Sequence, residues 1–417
     1  MAVRKALLDT TPLRTSKPFR RLWIGRALSG FGSQIALVAV MYQVWEATGS
    51  TVWTGAVGLA QAIPLVAFGL FAGSLVDRSD RRRVYLIALT GMTAGSVVLA
   101  VQGVFGPLPM AGLLVVLAAQ SCFWAGAGPA ARTFISKLLP REQVAAGLVL
   151  QRIMFQASML AGPAVGGLLI GWFGVGGCYL VDALTFVMAF YGAFSLPSMR
   201  PEGEPSRPGL RGIGDGLRFL VSHSSVRGAL LTDLAATVLS FPLSLFPLIN
   251  EERFGGNPRT LGLFLSAIAV GGFVASVFSG TFTRSARPGV FMLAGSATWG
   301  LSMVLLGVAP SAWLCLACLV LAGAADTVAV VARGTIVQHH TPNAMLGRVV
   351  AAEQIVGQAG PDLGNMRAGL VAGATSGAFS LISGGALCVL AVAAVAAGTR
   401  PLREPSTKET ASHAAGA

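Results

Sequence analysis

Five acidic residues interrupt long apolar stretches of the chain, and each brings a carboxyl group where water is scarce: Asp182, Asp233, Asp326, Glu353 and Asp362. A charge at the centre of a hydrocarbon layer costs at least about 2.5 kcal/mol, so each acid is expected to face protein or water. Burial disfavours the ionised form of a carboxyl group, which makes these residues candidates for taking up and releasing protons.

The acids differ in how strongly they indicate proton exchange. Asp362 replaces a small residue in a Gly-Pro motif that recurs in the chain, and Asp326 lies within an apolar stretch, so these two are the first candidates. Glu353 and Asp233 are further candidates. Asp182, like Asp233, lies nearer the end of its stretch, where a carboxylate more often packs or caps a helix.

Basic and aromatic residues in the same stretches could bind a substrate. Arg152 lies seven residues into its predicted span, roughly 10 Å deep at 1.5 Å per residue. It could pair with Glu353 or bind an anionic substrate, and a buried ion pair that only fixes two helices is an equally good interpretation. Arg26 and Trp124 complete this set of candidates for substrate binding or ion pairing.

The apolar stretches themselves predict membrane-spanning helices. Hydrophobic residues form 54% of the 417 residues and charged residues only 11%, against about 25% charged in soluble domains. Each stretch is continuous over about 20 residues, as a spanning helix requires, whereas the strands of a membrane barrel alternate. We therefore predict an all-α membrane protein with about 12 spans: 22–45, 53–76, 84–105, 108–130, 145–172, 177–196, 228–250, 261–283, 288–309, 312–335, 346–372 and 375–398.

The positive charge of the chain indicates its orientation. The formal net charge is +13, with 30 Lys and Arg against 17 Asp and Glu. Nearly all of the basic residues fall in the N-terminal segment, in the loops on one side of the predicted spans, and in the C-terminal tail. Because positive residues mark the cytoplasmic face, both termini are expected in the cytoplasm, and nucleic-acid binding is not needed to explain the charge.

A polar, proline-rich segment divides the predicted spans six and six. We expect an N-terminal half at 1–196, a cytoplasmic linker at 197–227, a C-terminal half at 228–399 and a cytoplasmic tail at 400–417. The halves share a motif, since "LAGPAVGG" (160–167) is answered by "QAGPDLGN" (358–365). Two six-helix repeats are typical of transporters whose halves rock around a central site.

The loop "GSLVDRSDRRR" (73–83) resembles the signature loop of the major facilitator superfamily. The second half carries a partial copy, "SGTFTRSAR" (279–287), which has no acid. The resemblance implies the fold of that superfamily and a conformational latch, in which Asp77 docks near the start of the eleventh span at 346–349. The residues that carry the loop motif are Gly73, Asp77, Arg78, Arg81 and Arg82.

A second motif narrows the resemblance to exporters. "AGPAVGG" (161–167) is similar to the antiporter motif of drug and metabolite exporters in this superfamily, with Gly162, Pro163, Gly166 and Gly167 at the matching positions. Pro163 removes a hydrogen bond and bends the helix. Gly162 and Gly166 have the spacing that lets two membrane helices approach closely, although packing of small residues alone could also explain them.

Longer stretches resemble the enterobactin (siderophore) exporter branch: "FRRLWIGRALSGFGS" (19–33), "SARPGVFML" (285–293) and "TPNAMLGRV" (341–349). The resemblance implies export of a siderophore or similar metabolite from a bacterium across its cytoplasmic membrane by proton antiport, with broad efflux of macrolides and other drugs as the alternative. None of the four lysines follows a glycine, so there is no ATP-binding P-loop.

The other interpretations are a membrane enzyme and a receptor or scaffold that has lost transport. No HExxH, GxSxG or His/Cys cluster indicates an enzyme. We expect protons, a small-molecule substrate and the lipid bilayer as partners. No cofactor, metal or nucleic acid is expected, and the resemblance implies a monomer.

Overall fold

The computed structural model describes residues 9–199, 210–279, 282, 285 and 287–402, which are nearly all helical and contain no β-strand. The helices, in chain order, are α1 (Thr11–Thr15), α2 (Lys17–Thr48), α3 (Thr51–Arg78), α4 (Arg81–Phe105), α5 (Met110–Arg132), α6 (Phe134–Leu138), α7 (Arg141–Phe194), α8 (Leu210–Ser222), α9 (Ser224–Ser240), α10 (Phe246–Phe254), α11 (Pro258–Val277), α12 (Pro288–Val308), α13 (Ala312–His340), α14 (Asn343–Ala374) and α15 (Gly377–Gly398). Short 3₁₀ turns cover Leu243–Leu245 and Arg400–Leu402.

The described residues contain 10 helical segments long and apolar enough to cross a membrane. One of them is α7, which has 54 residues and holds both the predicted fifth and sixth spans. At Gly174 its backbone turns into the left-handed region (φ 66°), which favours glycine, and this kink separates the two spans. The predicted eleventh span corresponds to α14, which is not among the ten. The predicted count of 12 is therefore not reproduced exactly.

Capping residues set where several helices begin. The side chain of Asp80 accepts a hydrogen bond from the backbone N–H of Arg82 at the start of α4. The side chains of Ser311 and Ser376 accept hydrogen bonds from the backbone N–H groups of Leu314 and Phe379 at the starts of α13 and α15. The first N–H groups of a helix have no partner within that helix, and these caps provide one.

The described residues fall into two compact units. The first takes its residues from Met1–Ala47, Ala60–Pro208 and Pro258–Ser266. The second takes its residues from Thr48–Leu59, Gly209–Asn257 and Ala267–Ala417. The start of α3 thus packs within the second unit, and the start of α11 packs within the first.

Each unit has an apolar core of its own. In the first unit, Tyr85 of α4 and Phe134 of α6 are buried edge to face, with ring centroids 5.2 Å apart. In the second unit, Leu220 of α8 and Val226 of α9 are buried against Val349 of α14. These cores fix the rotation of the helices that carry the acids and arginines.

Candidate functional site

Four charged residues from three helices meet inside the second unit. Asp233 on α9, Asp326 and Arg333 on α13, and Glu353 on α14 form what we call the acid–arginine cluster. The guanidinium of Arg333 forms an ion pair with Asp233 through Nη1. Its Nε donates to Oε1 of Glu353 over 2.9 Å. One arginine side chain therefore ties α9, α13 and α14 together.

Helical spacing explains how α13 contributes two members. Asp326 and Arg333 are seven residues apart, which is about two turns, so both project from the same face of α13. That face borders a small pocket with room for about one water molecule. Asp233, Asp326 and Arg333 line the pocket together with Ser296 and Trp299.

The acid–arginine cluster contains more carboxyl groups than positive charges. The side chains of Arg333 and Asp233 are only 13% and 12% exposed, and that of Glu353 is 15% exposed. Three carboxyl groups face one guanidinium, so full ionisation would leave two uncompensated negative charges in a largely buried site. Such charges are costly away from water. The arrangement is therefore suited to holding and exchanging a proton.

The structure changes one expectation and adds one residue. Glu353 is bound by Arg333, whereas the sequence offered Arg152 as one possible partner of Glu353. Arg333 was not among the sequence candidates. A signal was present, because Arg333 lies inside the predicted tenth span at the spacing that places it on the same face as Asp326.

Asp362 lies apart from the cluster, on α14 within the second unit. A Cβ atom built on Gly58 of α3 would be 3.3 Å from Oδ1 of Asp362, so the two helices touch there. Among the described residues, Asp362 has no hydrogen bond or ion pair with a side chain or backbone group. Beside it, a Cβ on Gly360 would come within 2.5 Å of Oγ1 of Thr237 on α9, and one on Gly364 would overlap the Thr237 carbonyl oxygen.

The Gly-Pro motif of α7 makes matching contacts inside the first unit. A Cβ on Gly162 would be 2.5 Å from Cβ of Gln34, and a Cβ on Gly166 would be 3.2 Å from Cα of Ile35, so α7 and α2 are in close contact. A Cβ on Gly167 would overlap the carbonyl oxygen of Pro258 at the start of α11. The two copies of the motif thus perform the same packing role, each against two other helices of its own unit.

Pro163 also has a local effect on hydrogen bonding in α7. The next backbone N–H, that of Ala164, donates to Oγ of Ser266 on α11 over 3.1 Å. Pro163 is buried, as are the motif glycines on either side of it. The motif therefore joins α7 to α11 by a hydrogen bond as well as by close packing.

The signature loop is described in part. For Gly73, Asp77 and Arg78 only the helical backbone is described, so the expected docking of Asp77 lies outside the described part of the structure. Arg82 donates from Nη2 to the carbonyl oxygen of Phe194 over 2.6 Å, and its guanidinium lies over the Phe194 ring at 5.5 Å. Arg81 is half-buried, and its backbone N–H donates to Met199. The described part of the loop is thus anchored to the end of α7.

Asp80, next to the loop motif, is held by several donors. Ser198 Oγ donates to it over 2.6 Å, and the backbone N–H groups of Met199 and Arg82 each donate over 3.0 Å. Partial desolvation alone would raise the pKa of Asp80, but these hydrogen bonds outweigh it and lower the pKa below 3.8. Asp80 therefore stays ionised at neutral pH and fixes the loop to the segment after α7.

The first unit brings Arg26 on α2 to Gln151 on α7. Because a guanidinium can only donate, the amide of Gln151 is assigned with its oxygen toward Arg26. In that orientation the oxygen accepts hydrogen bonds from Nη1 and Nη2 of Arg26 at 3.1 and 2.8 Å. The neighbouring Arg152 is exposed, and its guanidinium lies 6.0 Å from the ring centroid of Phe155. Trp124 on α5 is 50% exposed. No acid is part of this group.

Asp182 on α7 is buried in the first unit, with 3% of its surface exposed. Its Oδ2 accepts from Oγ of Ser96 over 2.6 Å, and Gln120 in turn donates to Ser96 over 3.0 Å. Its Oδ1 has no hydrogen-bond partner in the described part of the chain. In the same part of the chain, no three His, Cys, Asp or Glu residues are grouped so as to hold a metal ion.

Comparison with protein families gives a match over residues 9–415, to the family described as transmembrane secretion effector. The chain belongs to this family. It is 28% identical over 393 residues to Enterobactin exporter EntS of Shigella boydii serotype 18, covering 92% of this chain and 94% of the relative. The same figures hold for Enterobactin exporter EntS of Escherichia coli O9:H4.

Solved structures show the same fold at low sequence identity. A POT family transporter in complex with 5-aminolevulinic acid superposes with a TM-score of 0.76 at 11% identity, over 93% of this chain and 97% of that chain. A bacterial homolog of the human lysosomal transporter Spinster, inward-facing and unoccupied, gives 0.73 at 15% identity, over 95% and 99%. The fold is that of the major facilitator superfamily, as the signature loop implied, and the chain is a multi-pass membrane transport protein.

Proposed function

We propose that this protein exports a siderophore or a similar secondary metabolite across the bacterial cytoplasmic membrane by proton antiport. The acid–arginine cluster is the observation that carries the proposal. A transporter without an ATP site must draw on an ion gradient, and a largely buried group of three carboxyl groups around one guanidinium is suited to proton exchange. The 28% identity to the enterobactin exporters supports the substrate class.

In this mechanism the proton is held within the acid–arginine cluster. Arg333 binds Asp233 and Glu353, and Asp326 lines the same pocket without an ion pair in the described residues. Asp326 is therefore the carboxyl group free to accept a proton while the two ion pairs persist. Release of that proton would make the cluster more negative and favour a rearrangement that exposes it to water. Asp362 is a second candidate proton carrier.

We propose that two helix contacts open and close during alternating access. The start of α3 packs against α14 within the second unit: Oγ1 of Thr51 donates to the Gly369 carbonyl over 2.8 Å. The start of α11 packs against α7 within the first unit. Each contact joins a helix from one predicted half of the chain to a helix from the other. In the proposed cycle both contacts open when the transporter changes the side that it exposes.

The test is secretion by a strain that lacks the gene, grown under iron limitation, with mass spectrometry of supernatant and cell extract. The proposal predicts that an iron-chelating metabolite accumulates inside and falls outside, that the wild-type gene restores secretion, and that Asp326→Asn does not. Asp215→Asn, at a side chain that is 56% exposed, is the matched control and should restore secretion.

Unchanged secretion of every iron-chelating metabolite would overturn the siderophore proposal. If the deletion strain instead became sensitive to macrolides or dyes, broad drug efflux would take its place. Normal secretion with Asp326→Asn would overturn the role of the cluster while leaving the export itself intact.

A further inference from the structure

Arg26 and Arg152 are positive residues within predicted spans that the proton mechanism does not use. They lie on neighbouring helices of the first unit, α2 and α7. Neither forms an ion pair in the described part of the chain. Membrane-embedded cations normally pair with acids or with backbone carbonyl oxygens, as Arg367 does with Leu239. In the described residues neither Arg26 nor Arg152 has such a contact, which points to a partner that binds from outside the chain.

The two arginines lie at similar distances from the starts of their helices. Arg26 is nine residues from the start of α2 at Lys17, which is about 14 Å along the axis. Arg152 is 11 residues from the start of α7 at Arg141, which is about 17 Å. The hydrogen bonds between Arg26 and Gln151 bring Arg26 next to the residue that precedes Arg152 in the chain.

Gln151 holds Arg26 without neutralising it. The amide oxygen accepts two hydrogen bonds from one edge of the guanidinium, and this fixes the plane of the group. An amide carries no charge, so the positive charge of Arg26 stays available. A fixed, planar guanidinium matches a carboxylate or another planar oxyanion, to which it can donate two parallel hydrogen bonds.

Arg152 adds a second charge beside an aromatic ring. Its guanidinium lies 6.0 Å from the centre of the Phe155 ring, and Phe155 is 52% exposed. Both side chains are accessible, and within a membrane span an exposed arginine is stable when it faces water rather than lipid. An aromatic ring next to a positive charge favours a ligand that has its own ring and a negative group.

We propose that Arg26 and Arg152, with Gln151 and Phe155, form a binding site for an aromatic anion, so that the exported compound belongs to this class. The inference rests on the proposed export function and narrows its substrate. The same site disfavours lipophilic amines, because a cationic ligand would add a third positive charge. This distinguishes the siderophore-type substrate from basic drugs.

The test uses fluorescein and rhodamine 6G, two dyes that share a three-ring core and carry opposite charges. The full chain is purified into nanodiscs of uncharged (zwitterionic) lipid, and dye binding is measured by fluorescence anisotropy. We expect saturable binding of fluorescein and at least tenfold weaker binding of rhodamine 6G. Arg152→Gln and Arg26→Gln should each weaken fluorescein binding about tenfold, as expected for the loss of a charge-assisted hydrogen bond.

Two further variants separate charge from folding. Arg152→Lys keeps the charge and should retain part of the binding. Arg348→Gln removes a positive charge from an exposed pair with Asp215 and should bind fluorescein like the wild type. Size-exclusion profiles and melting curves of every variant show whether the fold is intact.

Absence of fluorescein binding, equal binding of the two dyes, or unchanged binding in both Arg26→Gln and Arg152→Gln would overturn the anion site. The assay needs neither a gradient nor the natural substrate. Fluorescein binding in a protein whose deletion leaves secretion unchanged would support the site and refute the export proposal. Reduced secretion in the deletion strain, together with no binding of fluorescein, would refute the site and leave the export proposal standing.

Discussion

The charged residues of the two units differ in the partners that they bind. In the second unit, three acids gather around Arg333, and two of them form ion pairs with it. In the first unit, Arg26 is held by a neutral amide, and Asp182 is held by a neutral hydroxyl. Arg333 of the second unit therefore has carboxylate partners, whereas Arg26 and Arg152 of the first unit have none in the described part of the chain.

This difference suggests that the two units of the transporter have different roles. A cluster that already holds its own counter-ions responds to gaining or losing a proton, because each proton changes the balance among three carboxyl groups and one guanidinium. A pair of arginines without acids responds to an incoming anion. We infer that proton exchange belongs to the second unit and substrate charge recognition to the first.

Replacing Arg333 should have the largest effect. Arg333→Gln leaves Asp233 and Glu353 without their cation in a largely buried site, and breaking such a pair costs about 3–5 kcal/mol. We expect a clear fall in melting temperature in detergent and loss of export. Arg348→Gln, in a pair whose side chains are 48% and 56% exposed, should change stability by at most about 1 kcal/mol.

A triple variant sharpens the same test. Arg333→Gln combined with Asp233→Asn and Glu353→Gln removes both ion pairs together, so neither Asp233 nor Glu353 is left as an ion without its cation. Stability should recover while gradient-driven export stays absent. If Arg333→Gln alone melted like the wild type, the ion pairs would not hold the second unit together as described.

Adding one methyl group to the α7 motif should have an intermediate effect. A Cβ on Gly167 overlaps the Pro258 carbonyl oxygen, whereas one on Gly171, about one turn later, has nothing within 4 Å. Overpacking typically costs about 1–3 kcal/mol. Gly167→Ala should therefore lower stability and export, and Gly171→Ala should change neither. Equal behaviour of the two in melting and transport assays would contradict the close contact between α7 and α11.

Replacing Asp80 should have the smallest effect on stability, and that effect should depend on pH. Removing this helix cap by Asp80→Ala should cost about 1 kcal/mol at neutral pH. Because folding lowers the pKa of Asp80, its ionised form stabilises the fold above pH 3.8, and the contribution is lost as the pH falls through the lower folded value. Melting curves of the variant and the wild type should converge below that range. A constant difference would exclude the carboxylate as the cause.

Much of this organisation could be predicted from single residues and their spacing. Continuous apolar stretches predicted helices, and the signature loop together with the repeated Gly-Pro motif predicted the superfamily fold. The sequence also placed Asp233, Asp326 and Glu353 in membrane helices, but it could not show that they meet. Such a meeting depends on how α9, α13 and α14 rotate against one another, which side-chain packing decides.

The partners of the arginines were equally hard to predict. Arg152 and Glu353 carry opposite charges within predicted spans, so a pair between them was reasonable. Arg333 lies on α13 beside Glu353 and binds it instead. Gln151 gave no signal in the sequence, because a neutral amide next to Arg152 looks like any other polar residue until α2 brings Arg26 to it.

The most direct measurement compares Asp326→Asn with Asp182→Asn in proteoliposomes that contain the labelled metabolite identified by secretion. Accumulation driven by an imposed pH gradient is measured beside exchange at equilibrium, which needs no net proton transfer. We predict that Asp326→Asn loses accumulation at least tenfold and keeps exchange, while Asp182→Asn keeps both. Normal gradient-driven accumulation by Asp326→Asn, with loss in Asp182→Asn, would place proton exchange in the first unit and contradict the account.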